Sequence, residues 1–106
     1  MKDFRFGILN EFYGSRLSER QREIIKNYYD FDFSLSEIAD NCGITRQAVC
    51  DALKKGERTL SELERDMGFY EKMSSIKERL EELYGSMCKN GESEEKQKLS
   101  LILDMF

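Results

Sequence analysis

The sequence contains no proline and no histidine, and only seven glycines and three cysteines in 106 residues. Without proline, and with glycine this sparse, a collagen-like, proline-rich or glycine-repeat chain is excluded. Without histidine, neither a Ser–His nor a Cys–His nucleophile can be assembled, and no histidine metal ligand exists. Cys42, Cys50 and Cys88 cannot all pair within the chain, and their spacing contains no CxxC ligand pair. Cys42, placed just before Gly43 at the end of a helical pattern, reads as a small buried hydrophobe. Long apolar runs are also missing. The longest candidate, LSLILDMF, falls far short of an integral membrane segment, and Asp3, Arg5 and Glu11 interrupt the apolar opening where a secretory signal needs continuity. These absences point to the cytoplasm.

What is present is 40% hydrophobic and 36% charged, with 17 cations against 21 carboxylates and a formal charge of −4. The length suits one small helical domain, or a helical unit with an appended arm. Net acidity argues against a promiscuous nucleic-acid coat, but it does not exclude one basic helix. The carboxylate clusters Glu62, Glu64, Asp66 and Glu78, Glu81, Glu82 read as solvated helix faces. No glycine-rich phosphate cradle or nucleophile–base set accompanies them, so no enzyme, cofactor or metal is expected.

All elements read as helical, which makes the fold class all-α. Phe4, Ile8, Leu9, Phe12 and Tyr13 recur at helical spacing before Gly14 and Ser15 break the pattern. Ser18 is positioned to cap a second helix, ERQREIIKNYY, with Ile24, Ile25, Tyr28 and Tyr29 as its buried stripe and the tyrosine hydroxyls exposed. Phe31 and Phe33 in the following turn either anchor it to the core or form a docking patch. Ser34 or Ser36 caps a short third helix. From Thr45 a longer helix is expected through Met67, with Val49, Leu53, Leu60 and Leu63 inward and a weak point at Gly56. Beyond Gly68, FYEKMSSIKERLEELYG reads as an amphipathic helix, and its stripe Met73, Ile76, Leu80, Leu83 serves either as intramolecular core or as a subunit interface. Residues 85–98 read as a polar loop or link, and Leu99–Phe106 regains helical spacing. The implied division is a helical domain over residues 1–68 and a C-terminal extension over 69–106.

The most informative stretch is SLSEIADNCGITRQAVCDALKKGERTL. Ile38, Ala39, Gly43, Ile44, Val49 and Leu53 have the spacing of a helix-turn-helix. Ile38 and Val49 seal two crossing helices, Ala39 lets the backbones approach, Gly43 makes the turn and Ile44 plugs its underside. Thr45 starts the second helix and leaves Arg46, Gln47, Asp51, Lys54 and Lys55 for its outer face. Thr45 and the helix N-terminus suit a phosphate, Arg46 and Gln47 reach phosphate or base edges, and Lys54, Lys55 and Arg58 suit the flanking backbone. Four cations and two carboxylates between residues 45 and 58 give this segment a local charge of +2. The bland reading is an ordinary solvated helix face.

With FSLSEIAD followed by TRQAVCDALKK, the chain resembles the YlxM family of small bacterial helix-turn-helix proteins, whose corresponding segments are of YSLGEIA and SRQAVYD type. The upstream LSERQREIIKNYYDFDFSLSEIA and downstream GFYEKMSSIKERLEELYG extend the resemblance over residues 4–84. That family is similar to the fourth region of bacterial sigma factors, which reads promoter DNA. Its members are commonly linked to the signal recognition particle pathway through the genes beside theirs. The resemblance therefore implies a sigma-factor-like DNA-binding region followed by an amphipathic helical extension, in an accessory or regulatory role in protein targeting. Thr45 replaces the family's serine and keeps a capping hydroxyl. Cys50 stands where tyrosine is frequent and Ala52 where asparagine is frequent, and both remove polar contacting capacity.

Two functions remain open on the sequence. One is a non-enzymatic nucleic-acid-binding regulator whose ligand is DNA or signal recognition particle RNA. The other is a helical protein-interaction module that binds a targeting-pathway protein without touching nucleic acid. A homodimer is expected in either case, with Leu99, Ile102, Leu103 and Phe106 of the tail as its interface.

Overall fold

The computed structural model describes residues 2–88 and 94–106. Six helices carry them: α1 (Arg5–Tyr13), α2 (Glu19–Tyr29), α3 (Leu35–Cys42), α4 (Arg46–Met67), α5 (Phe69–Cys88) and α6 (Glu94–Leu103). A 3-10 turn, Gly14–Arg16, follows α1, and no strand occurs among the described residues. No described helix is long and apolar enough to cross a membrane. The chain forms two units, one ending at Tyr70 and the other beginning at Glu71.

Local chemistry sets most helix ends in the first unit. Ser18 accepts from the Gln21 amide while the Gln21 side chain accepts from the Ser18 amide, a reciprocal box that starts α2. Ser34 and Glu37 repeat the arrangement at α3, so Ser34 and not Ser36 is the cap. Thr45 Oγ1 accepts from the Ala48 amide at 3.0 Å and starts α4. Each cap contributes about 1 kcal/mol. Helices α3 and α4 both end on a glycine with positive φ, Gly43 at 66° and Gly68 at 65°. At Gly43 both its own amide and that of Ile44 donate to the Ala39 carbonyl, which closes the tight turn.

The core of this unit is Leu9, Tyr13, Ile24, Ile25, Ile38, Ala39, Val49, Leu53 and Leu60. Ile24, Ile25, Ile38, Val49 and Leu60 are fully buried, each contributing about 1.5–3 kcal/mol relative to exposure. Cys42 and Leu63 are half-buried against this core. Helix α1 departs from its expected stripe. Leu9 and Tyr13 are buried with Gly7 and Asn10, whereas Phe4, Ile8 and Phe12 are exposed. Apolar residues occur on both faces of α1, so periodicity alone could not pick the inward one. Asn10 adds a polar tie by donating through Nδ2 to the Arg22 carbonyl of α2 at 3.1 Å. Gly56 proves to be a contact point: a Cβ built there would lie 2.6 Å from Ile25 Cδ1, so α2 and α4 touch where α4 has no side chain.

Two tyrosine hydroxyls, expected at the surface or unassigned, are bonded inside this unit. Tyr29 donates to Glu57 at 2.5 Å. Tyr13 donates to Glu64 at 2.8 Å and accepts from the Phe69 amide at 3.1 Å, while the same Glu64 oxygen accepts from the Tyr70 amide at 3.0 Å. Two backbone donors at the start of α5, which no helical turn can satisfy, are thus taken up by side chains from α1 and α4. Phe33 packs against the core, whereas Phe31 is exposed.

In the second unit the expected loop over residues 85–98 is corrected at both ends. Residues 85–88 continue α5, and residues 94–98 open α6, which Glu94 and Glu95 favour in its positively polarised first turn. The intervening 89–93 lie outside the described residues. Helix α5 has no fully buried residue: of its stripe, Met73, Ile76 and Leu83 are exposed and Leu80 is half-buried. Leu99 is buried in α6, Leu103 is half-buried, and Ile102 and Phe106 are exposed.

Candidate nucleic-acid interface

Helix α4 has two opposite faces. Val49, Leu53, Gly56 and Leu60 face the core, and Gln47, Asp51, Lys54 and Arg58 are all exposed. The latter four follow an i, i+4, i+7, i+11 spacing, which at about 100° per residue is a single outward stripe. Lys55 is exposed and lies to one side of it. Arg46 is also exposed, but by winding it belongs above Leu53, off the stripe, and is open because it occupies the first position of the helix. Gln47, Lys54 and Arg58 are therefore brought together, while Arg46 and Lys55 flank them on opposite sides.

The structural members of the motif are in place. Ile38 and Val49 are fully buried, Ala39 is 5% and Leu53 7% exposed, and Ile44 is half-buried against the same core. Gly43 adopts the left-handed conformation that the turn requires. Thr45 uses its hydroxyl oxygen on the Ala48 amide, and its hydroxyl hydrogen stays available to a phosphate oxygen.

Both carboxylates in the segment are engaged by neutral donors. Gln47 Nε2 donates to Asp51 Oδ1 at 3.0 Å, and Tyr29 holds Glu57. Burial, reinforced by the Glu57 carboxylate, pushes the Tyr29 hydroxyl well above its ordinary value, so it stays a donor at neutral pH. The Gln47–Asp51 bond orients the carboxamide with its nitrogen toward Asp51 and its oxygen free to accept. The i, i+4 spacing of the pair was its sequence signal.

Lys2 had no signal of this kind. Its Nζ donates to the Tyr28 carbonyl at 3.1 Å and to Asp32 at 2.9 Å, and sits 4.0 Å from the centre of the Tyr28 ring. With Lys54, Cys50, Leu35 and Tyr28 it lines a hollow of about 330 Å³ beside the outer stripe of α4. Cys50 therefore faces a shallow surface depression and is half-buried. A larger hollow of about 590 Å³ lies over α1 and α2, lined by both signs of charge, including Glu11, Glu23, Arg22 and Lys26. It contains no residue of the motif.

A UPF0122 protein of Desulforamulus reducens is 45% identical over 84 residues, covering 78% of this chain and 72% of that protein. One from Halalkalibacterium halodurans is 39% identical over 103 residues, covering 97% of this chain and 94% of its own length. A third, from Symbiobacterium thermophilum, is 49% identical over 70 residues and covers 65% of each. The family model described as "Putative helix-turn-helix protein, YlxM / p13 like" matches residues 1–101. With the α3–turn–α4 geometry and these relatives in agreement, the chain belongs to the UPF0122 family of helix-turn-helix proteins.

Proposed function

We propose that this protein is a non-enzymatic nucleic-acid-binding accessory or regulator that presents the outer stripe of α4 to duplex DNA. The observation that carries the reading is the exposure of Gln47, Lys54 and Arg58 on one stripe, with both nearby carboxylates held by Gln47 and Tyr29. Lys55 and Arg46 extend the cationic surface to either side, so the acidic total of the chain does not oppose binding at this face. DNA is favoured over the signal recognition particle's RNA because an A-form major groove is too deep and narrow for a recognition helix. The place in the protein-targeting pathway rests on the resemblance to the YlxM family.

A titration of labelled duplex DNA and of particle RNA, followed by fluorescence anisotropy, tests this. Saturable binding is expected at low salt, with log K falling against log salt at about −0.9 per phosphate neutralised. Replacing Lys54 and Arg58 by alanine should reduce that slope by about 2. Absence of saturable binding to either nucleic acid at about 50 mM salt, or a slope unchanged in the double variant, overturns the proposal.

The tail favours a two-fold pair that would present two recognition helices. Ile102 and Phe106 are exposed beside half-buried Leu103, with Leu99 supporting them from within. Sedimentation equilibrium should give a dimer that Ile102→Asp with Phe106→Asp converts to a monomer. A wild-type mass that is monomeric across micromolar concentrations refutes this pairing.

A further inference from the structure

Helix α5 keeps an apolar seam that is only partly covered, most open from Met73 to Ile76 and at Leu83. Met73, Ile76 and Leu83 are 39%, 47% and 52% exposed, Leu80 and Met87 are half-buried, and the helix has no buried residue. From Met73 through Ile76, Leu80 and Leu83 to Met87 the spacing alternates between three and four residues. That is the seven-residue period of a coiled-coil seam, and the straight partner that matches it is another α-helix.

The borders of the seam carry one sign of charge. Lys72 and Arg79 precede Met73 and Leu80, Lys77 follows Ile76, and Tyr84 and Ser86 complete the edges. Glu71, Glu78, Glu81 and Glu82 all fall on the remaining arc of the helix, away from the seam. Lys77 reaches Glu81 at 3.9 Å along the helix, and Lys96 of α6 stands 5.8 Å from the Tyr84 ring, which adds a further cation near that edge.

This pattern selects against a second copy of α5. In a parallel pair, Lys72 of one helix would oppose Lys77 of the other. In an antiparallel pair with Ile76 against Leu80, Lys77 would meet Lys77 and Arg79 would meet Arg79 across the two-fold axis. Both registers oppose like charges beside the apolar layers.

We propose that α5 is a docking surface for an amphipathic helix of another protein, apolar at its seam positions and carrying glutamate or aspartate at the positions that flank them. The apolar side chains supply the buried contact, while Lys72, Lys77 and Arg79 pair with the acidic borders and select the partner. This surface is independent of the nucleic-acid stripe on α4, and neither proposal requires the other.

The test uses the full chain and two labelled four-heptad peptides with leucine at both seam positions, one with glutamate and one with lysine at the flanking positions. Repulsion between like flanks keeps each probe from pairing with itself. Saturable binding of the glutamate peptide is expected, at least about tenfold tighter than the lysine peptide. Lys77→Glu with Arg79→Glu should reverse that preference, and Ile76→Asp should abolish binding of both peptides. Since all three residues are exposed, circular dichroism should show an unchanged helical content in these variants. Equal binding of the two peptides overturns the proposal, as does binding of neither. A wild-type self-association that Ile76→Asp disrupts, with no peptide bound, would assign the seam to a second copy and overturn it as well.

Discussion

The contact between α2 and α4 at Gly56 makes a quantitative prediction about a single methyl group. In an exposed helix, glycine to alanine is worth about 1 kcal/mol of stabilisation. Here the added Cβ would stand 2.6 Å from Ile25 Cδ1, where carbon atoms need about 3.5–4.0 Å. Ile25 is fully buried, so its terminal methyl has no solvent to move into and the overlap of about 1 Å must be taken up by the packing between helices. Overpacking of this kind costs about 1–3 kcal/mol, which cancels the propensity gain and leaves Gly56→Ala neutral to destabilising by about 2 kcal/mol. Ile25→Val removes the colliding methyl at a cost of about 0.5–1.5 kcal/mol. In that background Gly56→Ala should stabilise by about 1 kcal/mol, because the remaining contacts are ordinary: the nearest surviving atoms are Ile25 Cγ1 at 3.5 Å and Gln21 Cβ at 3.7 Å. Urea unfolding of the four proteins, followed by circular dichroism at the helical band, closes the cycle with an expected coupling of about 1–3 kcal/mol. If Gly56→Ala stabilises the wild-type chain as much as it stabilises the Ile25→Val variant, the close approach is not what excludes a side chain there.

Three further outcomes are expected. Tyr13→Phe should destabilise by about 1–3 kcal/mol in the same urea assay, since it leaves the Phe69 amide without its acceptor and Glu64 without one donor; a change near zero would refute the role given to that hydroxyl. Burial, ahead of their glutamate partners, raises the hydroxyl pKa of both Tyr13 and Tyr29, so their stabilisation is complete below the ordinary tyrosine value and is lost as pH climbs above it. Absorbance titration should therefore show Tyr13 and Tyr29 ionising late, together with the loss of helix, and their removal by Tyr→Phe substitution leaving the late phase unchanged would contradict this. Asp51→Ala removes a carboxylate from the proposed DNA-binding stripe and should tighten non-specific DNA binding by about 1 kcal/mol, roughly fivefold, at low salt, whereas weaker binding would mean that orienting Gln47 matters more than the charge.

Features written in neighbouring residues were legible in the sequence. Ser18 and Thr45 cap the helices they precede, Gly43 takes the left-handed turn, and α4 ends at Met67, because each depends on a few residues close in the chain. The helix-turn-helix followed from that same local logic. Tertiary choices were less visible. Nothing local distinguishes Leu9 and Tyr13, which are buried, from Ile8 and Phe12, which are not. Gly56 looked like a weak point in α4 because its partner, Ile25, lies on another helix. The polar stretch over 85–98 resembled a loop, yet 85–88 continue α5 and 94–98 open α6, where two glutamates, two lysines and a glutamine favour helix as readily as solvent. At the candidate interface the cations were readable from charge alone. The part played by Lys2 was not, because it depends on Tyr28 and Asp32, about thirty residues further along.

The link from Tyr13 to Glu64 and to the first residue of α5 spans a sequence separation of 51–56 residues, which bears on how the chain is made. During synthesis the first helix leaves the ribosome early, but the carboxylate that receives its hydroxyl and the amide that donates to it come near the far end of the same unit. The two hydrogen bonds of the Tyr13 hydroxyl must therefore wait until α4 has emerged to its end and Phe69 has followed. The segment around Thr45 reaches the tunnel exit before that closure, so the stripe proposed to bind nucleic acid emerges on a nascent chain whose first unit is not yet complete.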